Sequence, residues 1–139
     1  MTYWLVKSEP SVFSWDDLVK VGAKGEPWTG VRNHQAKLYL MAMKRGERAL
    51  FYHSNEGKEI VGVAEVVREA YPDPTAESGP WVCVDLKAVV PLKAHVTLAE
   101  AKTDPALAEM MLVKNTRFSV QKVSDAEWKR VCKLGGVKA

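Results

Sequence analysis

A chain of 139 residues fits one domain, residues 1–139, and no stretch of it suggests a second core. With 47% hydrophobic and 27% charged residues the composition excludes a disordered segment, which needs few apolar groups and high net charge. A formal net charge of +3 admits a polyanionic partner but excludes a broad electrostatic groove binder, because the densest basic run, Lys44-Arg45-Gly46-Glu47-Arg48, reads as a solvated helix end.

Thr2 to Lys7 is bulky on both faces and predicts a strand inside a sheet, ended by Ser8-Glu9-Pro10 because proline removes a ladder donor. Ser14-Trp15-Asp16-Asp17 is a capping box and opens a short helix that stops near Gly22. Residues 23–30 form a loop holding Gly25, Pro27, Trp28 and Gly30. A large indole in a glycine-flanked loop exceeds what space filling requires, so Trp28 is the first candidate binding residue.

From Asn33 to Lys44 the spacing is helical, with Leu38, Met41 and Ala42 on one side, Ala36, Leu40 and Met43 close by, and Gly46 as the stop. Strands are expected over Ala49–Ser54 and Ile60–Glu69, joined at Asn55-Glu56-Gly57-Lys58. Tyr71-Pro72-Asp73-Pro74 begins a polar loop that ends at Gly79-Pro80. Val82 to Val90 alternates apolar with polar residues, which predicts a strand with one wet face. Helix starts follow at Thr97-Leu98-Ala99-Glu100, Asp104-Pro105 and Ser124-Asp125-Ala126-Glu127, with a last short strand over Arg117–Val123. The order β-α-α-β-β-β-α-α-β-α, read with antiparallel hairpins rather than βαβ crossovers, predicts an α+β fold. Its expected form is a small curved sheet or partly closed barrel with short helices around it.

Most catalytic signatures are missing. His34, His53 and His95 stand apart from one another and from Cys83 and Cys132, so no zinc spacing exists and the thiols read as buried and free. No phosphate-cradling glycine loop, zinc-deaminase pattern or nucleophile elbow occurs. His53 and Ser54 are strand neighbours and point to opposite faces, which prevents a direct Ser–His pair. Lys7, Ser8 and Glu9 bring reactive types to one strand end, whose plainer reading is a solvent-facing terminus. No enzyme signal rises above background, and no metal or other cofactor is expected. Neither a signal peptide nor a membrane-length apolar run is present in the sequence, so a cytoplasmic protein in a bacterium, or a nuclear one in a eukaryote, is expected.

Polar and aromatic residues cluster at Lys7-Ser8-Glu9-Pro10, Trp28-Thr29-Gly30-Val31-Arg32-Asn33 and Phe51-Tyr52-His53-Ser54. Together with Tyr3-Trp4-Leu5-Val6, Val61-Gly62-Val63-Ala64-Glu65-Val66-Val67 and Arg117-Phe118-Ser119-Val120-Gln121, these segments resemble the EVE-domain family. They come in the family's order and cover nearly the whole chain; Phe118 departs from an expected leucine, an exchange between bulky apolar residues. The resemblance implies the PUA-like fold, a small barrel shared with YTH, ASCH and SRA-type domains, several of which accept a flipped or modified base. It implies recognition of a modified base in DNA or RNA. The Trp28-Thr29 pair looks like the YTH segment that supplies one wall of a methyl-adenine cage. The alternative, also implied by relatives, is an ASCH-like hydrolase of a modified nucleoside with Lys7 and Ser8 or Glu9 as the reacting groups.

Placed beside that implication, the residues divide by chemistry. Stacking on an aromatic ring contributes about 1–3 kcal/mol per base whatever its identity, and Trp28 with Trp15 or Tyr52 suits it. Identity must come from the polar edge, where Asn33, Ser8, Ser54 and His53 offer donors and acceptors. Lys7, Arg32 and Arg117 suit phosphate contacts. Each has a structural role in competition: Asn33 as a helix cap, Trp15 as core, Tyr52 and His53 as satisfied buried groups, Arg117 as a partner of Glu65.

Overall fold

Two short strands buried on both faces set the architecture. In a computed structural model that describes residues 1–114 and 117–139, Tyr3–Ser8 (β1) lies parallel to Arg48–His53 (β3) and antiparallel to Val120–Val123 (β6). Both edges of β1 are therefore paired, as its two bulky faces require. The parallel pairing corrects the expectation of hairpins without crossovers. The connection from β1 to β3 runs through Trp15–Val21 (α1), the two-residue strand Glu26–Pro27 (β2) and His34–Ala42 (α2), the helical kind of link that parallel neighbours need.

Glu59–Pro72 (β4) and Val82–Thr97 (β5) complete a six-stranded mixed sheet in the order β2-β5-β4-β3-β1-β6. The sheet is curved and open, and the class is α+β. Both long strands outrun their sequence boundaries because their pairing breaks register repeatedly, and one break, between Ile60 and Gly62, lets Pro91 sit opposite Gly62 inside β5. A further irregularity between Phe51 and Tyr52 gives β4 one extra residue, so Ile60 and Val63 face the same side despite their odd spacing. The turn at 55–58 is as expected, with Asn55, Gly57 and Lys58 at positive φ.

Two cores cover the two faces. Trp4, Val6, Ala49 and Phe51 pack with Leu18 of α1 and with Ala36, Leu40 and Met43 of and beside α2. Leu5, Leu50, Tyr52, Ile60 and Val63 pack against Leu98–Thr103 (α3), Met111–Lys114 (α4) and Asp125–Gly135 (α5), with Trp128 and Val131 central. Helix α2 buries its Ala36-Leu40 side and leaves Leu38 and Met41 exposed. The capping boxes at Ser14, Thr97 and Ser124 are all formed.

Candidate functional site

Because β1 and β3 run parallel, their last residues emerge side by side. Lys7 pairs with Tyr52 and Ser8 with His53, and the Ser54 N–H donates to the Ser8 carbonyl at 2.9 Å. The chain then folds back: the N–H groups of Val12 and Phe13 both donate to the Glu9 carbonyl, and the Ser8 hydroxyl donates to the carbonyl of Phe13. Facing this turn is the loop after β2, where the Trp28 N–H is held by the Val84 carbonyl at 2.7 Å. A cleft of about 540 Å³ opens between them, lined among others by Lys7, Ser8, Phe13, Trp28, Val31 and Ser119. Small-molecule sites occupy roughly 300–1,000 Å³, so a nucleobase fits.

Trp28 forms the apolar wall of this cleft while belonging to the first core. Its ring meets Phe51 edge-to-face at 5.6 Å and Phe13 at 6.0 Å, and the residue is only 8% exposed. Across from it, burial pushes the Lys7 amine below the usual lysine range. Glu9 accepts from the Asn55 side-chain amide. The Ser8 hydroxyl donates its proton to the Phe13 carbonyl.

The loop carrying Trp28 is fastened from outside by Asp73, at the start of the β4–β5 connection. This buried carboxylate accepts from the Gly30 N–H at 2.9 Å, the Arg32 guanidinium at 3.0 Å, and the Thr75 N–H and hydroxyl, both at 2.7 Å. Burial alone would raise its pKa, yet the bonds from Thr75, Gly30 and Arg32 hold it well below the usual carboxylate range. Four donors on one carboxylate tie segments 43 residues apart in sequence.

The residues singled out from sequence separate accordingly. Lys7, Ser8 and Trp28 line the cleft, and Ser54 touches its edge through Ser8. Trp15 stacks edge-to-face on Phe51 at 5.4 Å, behind Trp28, and its ring lies on Gly62, where a Cβ would come within 2.5 Å of it. His53 accepts the Trp15 N–H at Nε2 (3.0 Å), which puts the neutral ring's proton on Nδ1; burial lowers its pKa against the opposing pull of Glu59. The Tyr52 ring sits in the second core, with burial raising its pKa and the Lys7 amine 5.7 Å from its centroid. Asn33 caps α2 by accepting the Ala36 N–H at Oδ1, which leaves its side-chain NH₂ for other partners. Arg32 is bound to Asp73, and Arg117 is exposed beside residues 115–116, which lie outside the described set. Glu65 pairs with Arg48 and Lys87, both at 3.6 Å, and not with Arg117.

Sequence reasoning passed over Phe13, Ser119, Asp73 and Trp81. Ser119 had a usable signal, since it stands in the Arg117–Gln121 segment, and its carbonyl accepts the Lys7 N–H at 2.9 Å. Among the described residues no group of three or more His, Cys, Asp or Glu side chains stands close enough to hold a metal ion.

With this geometry in hand, comparisons with known proteins are specific. The EVE domain family model matches residues 2–134. Human thymocyte nuclear protein 1 is 36% identical over 96% of this chain and 73% of its own length. A structure of that human protein in complex with DNA containing 5-methylcytosine superposes with a TM-score of 0.87, 36% identity and full coverage of both chains. Rpa0253 from Rhodopseudomonas palustris is 66% identical, with a TM-score of 0.93 over 98% of this chain and 94% of that one. The YTH domain of Zygosaccharomyces rouxii MRB1, solved with N6-methyladenosine RNA, shares 19% identity at a TM-score of 0.59 over 99% and 89% of the two chains, a likeness of fold alone, PUA-like in kind.

Proposed function

The chain belongs to the EVE-domain family, and on that premise we propose that it is a single EVE domain over residues 1–139 that reads a modified base in nucleic acid without chemically altering it. The observation that carries this reading is the Trp28 cleft, a base-sized recess between two strand ends with an aromatic wall and a polar rim. The human relative's complex with 5-methylcytosine DNA supports it for a chain 36% identical over its full length. A base can enter such a recess only after leaving its stack, so flipping, or a single-stranded substrate, is part of the proposal.

The roles follow from chemistry. Trp28 and Phe13 offer the flat apolar contact, and Ser8 accepts from the base edge through its remaining lone pairs. Asn33 contributes its amide NH₂ while capping α2. Lys7, Arg32 and Arg117 meet the backbone phosphates, with Arg32 held in place by Asp73. Trp15, Tyr52, His53 and Ser54 support the cleft floor from behind. A methyl group contributes roughly 0.8 kcal/mol on burial, about a fourfold preference, so sharper selectivity has to come from a tight wall or an unpaired edge in the competitor.

No helix is long and apolar enough to cross a membrane among the described residues. We place the activity in the bacterial cytoplasm or, in a eukaryote, the nucleus. The experiment is a binding titration of the protein and of Trp28→Phe and Ser8→Ala variants against oligonucleotides that differ only in one modified base. Trp28→Phe retains stacking and weak binding, Ser8→Ala loses discrimination between marked and unmarked strands. Equal binding of both strands by the parent protein, with no dependence on Ser8 or Trp28, sinks the reading.

A further inference from the structure

The β4–β5 connection carries an indole that the cleft does not use. Trp81 is partly exposed and belongs to neither core cluster. The turn before it is built against its ring: Gly79 has a φ of +95°, and a Cβ there would come 2.9 Å from the indole nitrogen. His34, exposed at the first turn of α2, lies over Trp81 with ring centres 4.8 Å apart and planes 34° apart. The Arg32 guanidinium stands 5.8 Å from the same ring.

This aromatic pair shares a mount with the cleft. The Asp73 N–H donates to the Trp81 carbonyl at 3.0 Å, while the Asp73 carboxylate holds Gly30, a cleft-lining residue, and Arg32. The path from the cleft wall to the second indole is therefore Gly30 to Asp73 to Trp81, two hydrogen bonds long. Trp81 adds to neither core, and its partly open ring, paired with an exposed histidine beside a basic side chain, is the kind of surface on which an unstacked base settles.

We propose that Trp81 and His34 form a second stacking site, which takes the nucleotide next in the strand to the one held in the Trp28 cleft. The inference rests on the reading of the cleft as a base pocket. It adds a consequence that reading lacks: affinity grows with strand length through stacking on Trp81, beyond what the phosphate contacts of the cleft contribute. The ligand class is a single strand, or a locally opened duplex, with at least one nucleotide beside the modified one.

The test compares two ligands by titration followed in heteronuclear NMR spectra: 5-methyldeoxycytidine monophosphate, and a deoxytrinucleotide with 5-methylcytosine in the middle. The parent is expected to bind the trinucleotide about tenfold more tightly, within the range that stacking of one base supplies. Trp81→Ala is expected to erase that gain while leaving the mononucleotide affinity unchanged, and Trp81→Phe to keep most of it. Equal weakening of both ligands in Trp81→Ala, or a trinucleotide affinity equal to the parent's, overturns the second site and leaves the cleft standing. If Trp28→Phe and Trp28→Ala bind the mononucleotide like the parent, the cleft reading falls and the second site with it. A parent that binds neither ligand overturns both.

Discussion

Two loops of this protein each present a tryptophan just after a glycine and a proline, and they use it differently. Trp28 follows Gly25 and Pro27, points inward, and is wedged between Phe13 and Phe51, so the ring that walls the cleft also completes a core. Trp81 follows Gly79 and Pro80, stays outside both cores, and among the described residues has the solvent-facing His34 and Arg32 as its ring and cation neighbours. A pocket wall that doubles as core is rigid and preorganised, and any change to it is felt by the whole fold. A ring mounted on a loop is adaptable and separable from stability. The contrast is sharpest in substitution. Trp28→Ala is expected to cost about 3–5 kcal/mol of stability, the range for emptying an aromatic core position, and to abolish binding. Trp81→Ala is expected to cost under about 1.5 kcal/mol, the worth of an aromatic pair. Chemical denaturation of both variants checks this, and similar losses would erase the distinction between the loops.

Asp73 joins the two loops, so it is where the comparison can be broken. Asp73→Ala leaves the Gly30 and Thr75 N–H groups and the Arg32 guanidinium without their acceptor, an expected loss of about 1.5–3 kcal/mol. Amide exchange should accelerate at Gly30 and Thr75 first. The sign with pH follows from a carboxyl held below its unfolded value: the contribution is complete above about pH 4 and is lost as pH falls through the folded value. Below about pH 4 the parent's stability should therefore fall more steeply than that of Asp73→Asn, which lacks the titrating group. Unchanged exchange at Gly30 would mean that the Val84 bond and the packing of the Trp28 ring hold the loop without Asp73.

The two loops also mark what could be seen from sequence. Capping boxes, the 55–58 turn and the Asn33 cap were legible because each is settled within four residues by side chains that compete for backbone groups. Lys7, Ser8 and Trp28, which line the cleft, were legible as candidates through the ordered motif segments, and Trp28 also through its oddity as a loop indole. The parallel β1–β3 pairing was not, since nothing local in Tyr3–Ser8 says which later strand it will meet. Nor was the length of β5, expected only over Val82–Val90, which continues through Pro91 where a register shift in β4 lies opposite it. Asp73 in an Asp-Pro turn looks like ordinary turn chemistry, and its partners Gly30 and Arg32 are more than 40 positions away. Trp81 carried the same loop signal as Trp28 and was missed for want of a motif around it.

Between the loops stands the start of α2, where Asn33 caps the helix and His34 covers Trp81. Asn33→Ala is expected to cost about 1 kcal/mol through the lost cap, and to loosen His34 over the second ring. Asn33→Ser restores a cap without restoring an amide NH₂. If binding returns with stability in the serine variant, the asparagine serves the helix alone; if stability returns and binding does not, the NH₂ reaches the base edge.

The smallest expected effect lies behind the first loop and tests whether its rigidity extends to the cleft floor. His53 accepts the Trp15 N–H, Trp15 packs on Phe51, and Phe51 packs on Trp28. Burial lowers the His53 pKa; Glu59 and Asp16 pull it back up and His95 adds to the lowering. A histidine with a depressed folded pKa stabilises fully above its unfolded value of about 6.5, and that stability is lost as pH falls through the folded value. Protonation turns Nε2 from acceptor to donor and leaves the Trp15 N–H unpaired, a loss of about 0.5–1.5 kcal/mol. The Tm of the parent should decline between pH 7 and pH 5 more than that of His53→Gln, whose side-chain oxygen can accept the same N–H without titrating. Parallel Tm profiles would show that the floor is held by ring packing, and that the first loop owes its rigidity to the core and to Asp73.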